Sequence, residues 1–114
     1  MVHPRPQLEK IRSAVRQGKF RQGLELAASD DAFDCKLGRV LARLELGHFE
    51  DALAGAATLL EESRDRPEEH AWSLWVNGRV EAWFGDIESA ILCMQRSSRL
   101  FRELDNVGMA SECQ

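Results

Sequence analysis

One seven-residue pattern occurs three times in this chain, and it constrains the fold more than any other feature. Each copy reads glycine, polar, large apolar, two polar residues, small, branched aliphatic. The copies begin at Gly18, Gly47 and Gly85 and end at Leu24, Leu53 and Ile91. Glycine adopts a left-handed backbone conformation at little steric cost, so a glycine ahead of an apolar stripe is typical of a turn between helices. The pattern predicts a repeat of helical hairpins.

The spacing of apolar residues around these glycines is helical. After Gly85, the residues Ile87, Ala90, Ile91 and Met94 fall at i, i+3, i+4 and i+7, and the other copies repeat these offsets. No segment alternates apolar and polar residues over the length of a strand. We therefore expect an all-α fold and a single domain over 1–114. Its predicted parts are hairpins at about 6–30, 32–64 and 67–104, and a partial helix over 107–113.

The small residue five positions after each glycine predicts where two helices approach closely. These residues are Gly23, Ala52 and Ala90. A larger side chain at such a position costs roughly 1–3 kcal/mol through overpacking. The aliphatic residue that follows each of them is expected to fill the space between helices, together with the apolar residues before and after it in the same stripe.

These residues resemble the tetratricopeptide repeat family, in which a 34-residue helix-turn-helix has a glycine in helix A and an A-x₃-F pattern in helix B. The third copy matches through Gly78, Gly85, Ala90 and Met94, and the second matches less fully through Gly47, Ala52 and Ala56. The spacings between the turn glycines, 29 and 38 residues, depart from 34. The resemblance implies a right-handed α-solenoid of three hairpins, with Gly78 as a helix-packing position.

The resemblance also implies that the A helices line a concave groove for an extended peptide or a partner's helix. Counted from Gly85, the groove residues of the third repeat are Trp72, Trp75, Arg79, Ala82 and Trp83. Tryptophan and arginine are enriched at binding hot spots. An arginine stacked on a tryptophan face is also able to clamp a carboxylate.

Two alternatives to this assignment remain open. In the first, the tryptophans are core side chains, because a central helix with neighbours on both sides is buried. A register set by the apolar stripe instead makes the groove Ser73, Val76, Val80 and Trp83. Trp83 belongs to both versions of the groove.

Composition excludes several functional classes. The net charge of −4 argues against general nucleic-acid binding, which needs a clustered positive surface. No apolar run is long enough to span a membrane. The chain has three cysteines, Cys35, Cys93 and Cys113, with no C-x-x-C arrangement. An odd number of widely spaced cysteines does not predict a disulfide framework, so we expect the chain to reside in a reducing cytoplasm.

The sequence contains no arrangement that predicts a catalytic, metal or cofactor site. His3, His48 and His70 are scattered, with no second histidine or cysteine three or four positions away. A small enzyme using Cys35 or Cys113 is a weaker hypothesis. A phosphate or nucleic-acid contact at Arg96, Arg99 and Arg102 is another, and a solvated convex face explains these arginines better.

We therefore interpret the chain as a non-enzymatic interaction module, a scaffold or adaptor that binds a protein or peptide partner. Terminal hairpins of a repeat stack also favour self-association as a homodimer or continuation of the array. The alternative function is a sensing or dimerising arm of a larger bacterial transcriptional regulator. It rests on the segment Phe101 to Ala110, which resembles the link between repeats in large ATP-dependent activators.

Overall fold

The computed structural model describes residues 6–27, 33–104 and 109, and its regular elements are α-helices. They are α1 (Pro6–Arg16), α2 (Phe20–Ala27), α3 (Phe33–Glu45), α4 (Phe49–Glu62), α5 (Pro67–Trp83) and α6 (Ile87–Glu103). No strand occurs in the described ranges, which confirms the all-α prediction. The predicted end of the first hairpin, after residue 27, lies outside the described residues. So does the predicted helix over 107–113, except for Met109.

Three of the turns between helices have the same geometry. Gly18, Gly47 and Gly85 have φ angles of 78°, 84° and 82°, at the positions where the sequence predicts turns. The N–H of Gly85 donates to the Ala82 carbonyl (3.1 Å), and the N–H of Asp86 donates to the Glu81 carbonyl (3.0 Å). Equivalent pairs of bonds form at the other two glycines. This pattern is the Schellman motif, which satisfies carbonyls at a helix end.

The helices pack mainly against their neighbours in the chain. In the described ranges, backbone contacts between helices join elements one or two positions apart in chain order. The resulting body measures 33 × 31 × 25 Å. α5 lies at its centre, against α3, α4 and α6, and positions 71 to 78 are all buried.

Buried polar side chains hold α5 against its neighbours. Asn77 Nδ2 donates to the Ala56 carbonyl of α4 at 2.8 Å, and Ser97 Oγ of α6 donates to the Ala71 carbonyl at 2.7 Å. Because a buried polar group without a partner is costly, these bonds favour one rotation of α5 about its axis.

The predicted helix-packing positions lie at close contacts. A Cβ on Gly78 would lie 3.0 Å from two atoms of Met94 and 3.3 Å from the Ala90 carbonyl, so α5 and α6 approach closely there. A Cβ on Gly23 would lie 3.2 Å from Val15 Cγ2. Ala52 and Ala90 are both buried.

Candidate functional site: the groove between α5 and α6

An open groove of about 1160 Å³ runs between α5 and α6, and we call it the α5–α6 groove. One wall comes from the C-terminal half of α5, with Gly78, Arg79, Ala82 and Trp83. The other wall comes from one face of α6, chiefly Ile87, Ile91, Met94, Ser98, Arg99 and Arg102. The close approach at Gly78 brings Met94 into the floor.

One end of the groove is apolar and exposed. Trp83 is 57% exposed, Ile87 56% and Ile91 51%. The Trp83 ring packs on Phe49 with a centroid distance of 5.7 Å, and Phe49 also contacts Phe84 edge-on at 6.1 Å. The apolar surface therefore continues from the groove across the turns that precede α4 and α6. A contiguous exposed apolar surface is typical of an interaction site.

The other end of the groove is positively charged. Arg99 and Arg102 line it and form no ion pair with any residue that the structure describes. Arg79 lies between the two ends, 3.9 Å from the Glu45 carboxylate and with its guanidinium 5.2 Å from the Trp75 ring centroid. Among the described residues, no carboxylate lines the groove. A protein with net charge −4 thus has a positive site here.

The structure separates the predicted tryptophans. Trp72 and Trp75 are 4% and 3% exposed, and the Arg12 guanidinium of α1 lies 5.2 Å and 5.1 Å from their ring centroids. Trp72 also packs edge-on against Phe101 at 5.2 Å. Side chains of α1 and α6 therefore cover both rings, and neither ring forms a surface with Trp83.

Arg79, Ala82 and Trp83 are the predicted groove residues that the α5–α6 groove contains. In the alternative register, Ser73, Val76 and Val80 are all fully buried. Trp83, the residue common to both registers, is the most exposed of the large apolar side chains in the described ranges.

The expectation that the repeated aliphatic residues fill the space between helices is wrong at the second and third copies. Leu53 is 42% exposed and Ile91 is 51% exposed. Their apolar neighbours Phe49 and Ile87 are exposed too. The small residues Ala52 and Ala56 are fully buried instead, and the Ala56 carbonyl accepts a hydrogen bond from Asn77 of α5.

Sequence reasoning also missed that Arg99 and Arg102 share a groove with Ile87 and Ile91. It predicted a solvated convex face for these arginines. Their spacing along α6 was the available signal, since residues at multiples of three and four positions lie on one helix face.

Cys93 is not an activated thiol. Burial, and then the nearby charge of Glu81, raises the pKa of Cys93, whose Sγ lies 3.9 Å from Glu81 Oε2. Cys35 is buried, and Cys113 lies outside the described residues. The described ranges contain no group of three potential metal ligands and no helix that is long and apolar enough to cross a bilayer.

No family model, curated protein or solved structure matches this chain. The resemblance to tetratricopeptide repeats therefore rests on the sequence pattern alone.

Proposed function

We propose that this chain is a non-enzymatic protein-interaction module that binds a partner's helix or peptide in the α5–α6 groove. The clustering of exposed apolar side chains supports this proposal most strongly. Seven large apolar side chains are exposed in the described ranges. Five of them belong to this site: Trp83, Ile87 and Ile91 line the groove, and Phe49 and Phe84 contact one another beside it.

We further propose that the scaffold is a short solenoid of tetratricopeptide-like hairpins. Three identical glycine turns and packing between chain neighbours support this architecture. The groove that we propose differs from the one that the resemblance implies. Arg12 packs over Trp72 and Trp75 on the α5 face that the resemblance assigns to binding, and the accessible surface lies on the α6 side.

The groove is preorganised for binding. Both walls are helices, so a partner that orders against them does not also have to order the site. Half-exposed side chains such as Ile87 and Ile91 have apolar area left to bury. Covering that area contributes roughly 1 kcal/mol per side chain.

Photo-cross-linking in the native host tests the proposal. A photoreactive residue at position 91 is expected to capture a partner, whereas the same residue at position 61, on exposed α4 surface, is not. The captured protein, once purified, should bind the isolated chain. Ile91→Asp should weaken that binding roughly tenfold or more.

Leu92→Asp is the matched control, because Leu92 is 55% exposed on the same helix but does not line the groove. Equal effects of Ile91→Asp and Leu92→Asp, with both variants folded, would assign the interaction to another surface. The dimerising-arm alternative predicts instead that a second copy fills the groove. Sedimentation equilibrium would then show a dimer that Ile91→Asp dissociates.

A further inference from the structure

We infer that the occupant of the α5–α6 groove is an amphipathic helix with acidic residues in its first turns and apolar residues in its second half, running antiparallel to α6. This inference rests on the proposed function and specifies the chemistry of the partner.

The molecule itself shows what fills a groove of this kind. Gly47 and Gly85 lie 38 positions apart, so the α3–α4 pair is the counterpart of the α5–α6 pair. In the α3–α4 pair, the counterparts of Ile87 and Met94 are Phe49 and Ala56. Both contact α5, through the Trp83 ring at 5.7 Å and the Asn77 amide at 2.8 Å. A helix therefore occupies the equivalent groove, and none of the described residues does so in the α5–α6 groove.

The same comparison gives the direction of the occupant. Phe49 begins α4 and contacts Trp83 at the end of α5, so these two helices are antiparallel. A helix placed likewise against α6 runs antiparallel to it, so its N-terminal turns lie at the end of the groove that Arg99 and Arg102 line. Its C-terminal half then lies beside Ile87 and Ile91.

The positive charge of the groove favours acidic residues in the first half of the occupant. Arg99 and Arg102 lack ion-pair partners among the described residues, and no described carboxylate lines the groove. Acidic residues in the first turn of a helix are also favoured by the helix dipole. α5, the occupant of the equivalent groove, has Glu68 and Glu69 in its own first turn.

The exposed apolar surface of the groove favours apolar residues in the second half of the occupant. Trp83, Ile87 and Ile91 converge at one end of the groove, with Met94 in the floor. A stripe of aliphatic residues at i, i+3, i+4 and i+7 buries this surface. The groove spans Ile87 to Arg102, so an occupant of about 16 residues, roughly 24 Å long, fits it.

Synthetic helical peptides of about this length test the inference. The first has glutamates in its first two turns and a leucine stripe in its second half, and the second has lysines in place of the glutamates. A third has the glutamates moved to the C-terminal half and the leucines to the N-terminal half. Anisotropy of a labelled peptide measures binding to the full chain, and Trp83 emission reports whether the groove is filled.

The first peptide is expected to bind more tightly than each of the other two, by roughly three- to tenfold. Salt should reduce this preference because the arginines are exposed. The double variant Arg99→Glu, Arg102→Glu should reverse it in favour of the lysine peptide. Lys19→Glu, Arg21→Glu is the matched control, since it changes the net charge equally on exposed surface away from the groove, and it should leave the preference unchanged.

Equal binding of all three peptides, with a shift of Trp83 emission, would overturn the inference while leaving the proposed groove intact. If no peptide bound and cross-linking at position 91 captured no partner, both proposals would fall. Binding to vesicles containing anionic lipid, lost in the Arg99→Glu, Arg102→Glu variant and not displaced by the first peptide, would overturn the inference in favour of a membrane surface.

Discussion

Arg12 connects the first helix to the tryptophans of α5, and its substitution tests whether α1 closes over them in solution. The side chain is 9% exposed, its guanidinium lies over two indole rings, and its Nη1 is 3.2 Å from the Glu9 carboxylate. A cation–π contact contributes roughly 0.5–2 kcal/mol. The ion pair contributes less than about 1 kcal/mol, because the Glu9 side chain is 58% exposed. Arg12→Ala should therefore lower the free energy of unfolding by about 2–4 kcal/mol.

Arg12→Met separates packing from charge. A methionine keeps an apolar stem against the rings and makes sulfur–aromatic contacts of roughly 0.3–1.5 kcal/mol. It also removes a charge whose burial is costly. We expect this variant to recover at least half of the stability that Arg12→Ala loses.

Urea denaturation followed by circular dichroism measures both effects, with Arg16→Ala as the control. Arg16 lies on the same helix, also approaches Glu9, at 4.0 Å, and is 63% exposed, so its removal should cost less than about 0.5 kcal/mol. If Arg12→Ala and Arg16→Ala were equally mild, the Arg12 side chain would not cover the tryptophans of α5 as described. Trp72 and Trp75 would then be open to solvent quenchers.

Three further predictions concern single residues. Trp83→Phe should abolish most acrylamide quenching of tryptophan emission, because Trp83 is 57% exposed whereas Trp72 and Trp75 are buried; quenching that persists would place another tryptophan at the surface. Gly85→Ala should lower stability by about 1–2 kcal/mol in urea denaturation, because its φ is 82° and the added Cβ meets no neighbour, so an unchanged midpoint would contradict the turn geometry. Burial, and then the charges of Arg64 and Arg96, lowers the pKa of His70, so the unfolded chain binds more protons at acidic pH. The contribution of His70 to the free energy of unfolding is fully present above the ordinary pKa of about 6.5 and is lost as the pH falls toward the folded pKa. His70→Gln should therefore reduce the slope of the free energy of unfolding against pH in that window, as measured by urea denaturation.

The turns and the helical class could be predicted from sequence because they depend on local interactions. At Gly85, a residue without a Cβ adopts positive φ, and the adjacent N–H groups bond to carbonyls at most five residues away. Helical spacing likewise appears within a short window. The helices of the described ranges could be predicted from such patterns.

Burial depends on which segments meet, and only the tertiary structure decided it. Trp72 and Trp83 are the same residue type on one helix, yet Arg12, 60 positions before Trp72, covers the first and no described residue covers the groove side of the second. Ile91 has the periodicity of a core residue and is exposed, because no described residue packs over it in the α5–α6 groove. The repeat determined the shape of each hairpin, but contacts between distant segments determined which surface remained available for a partner.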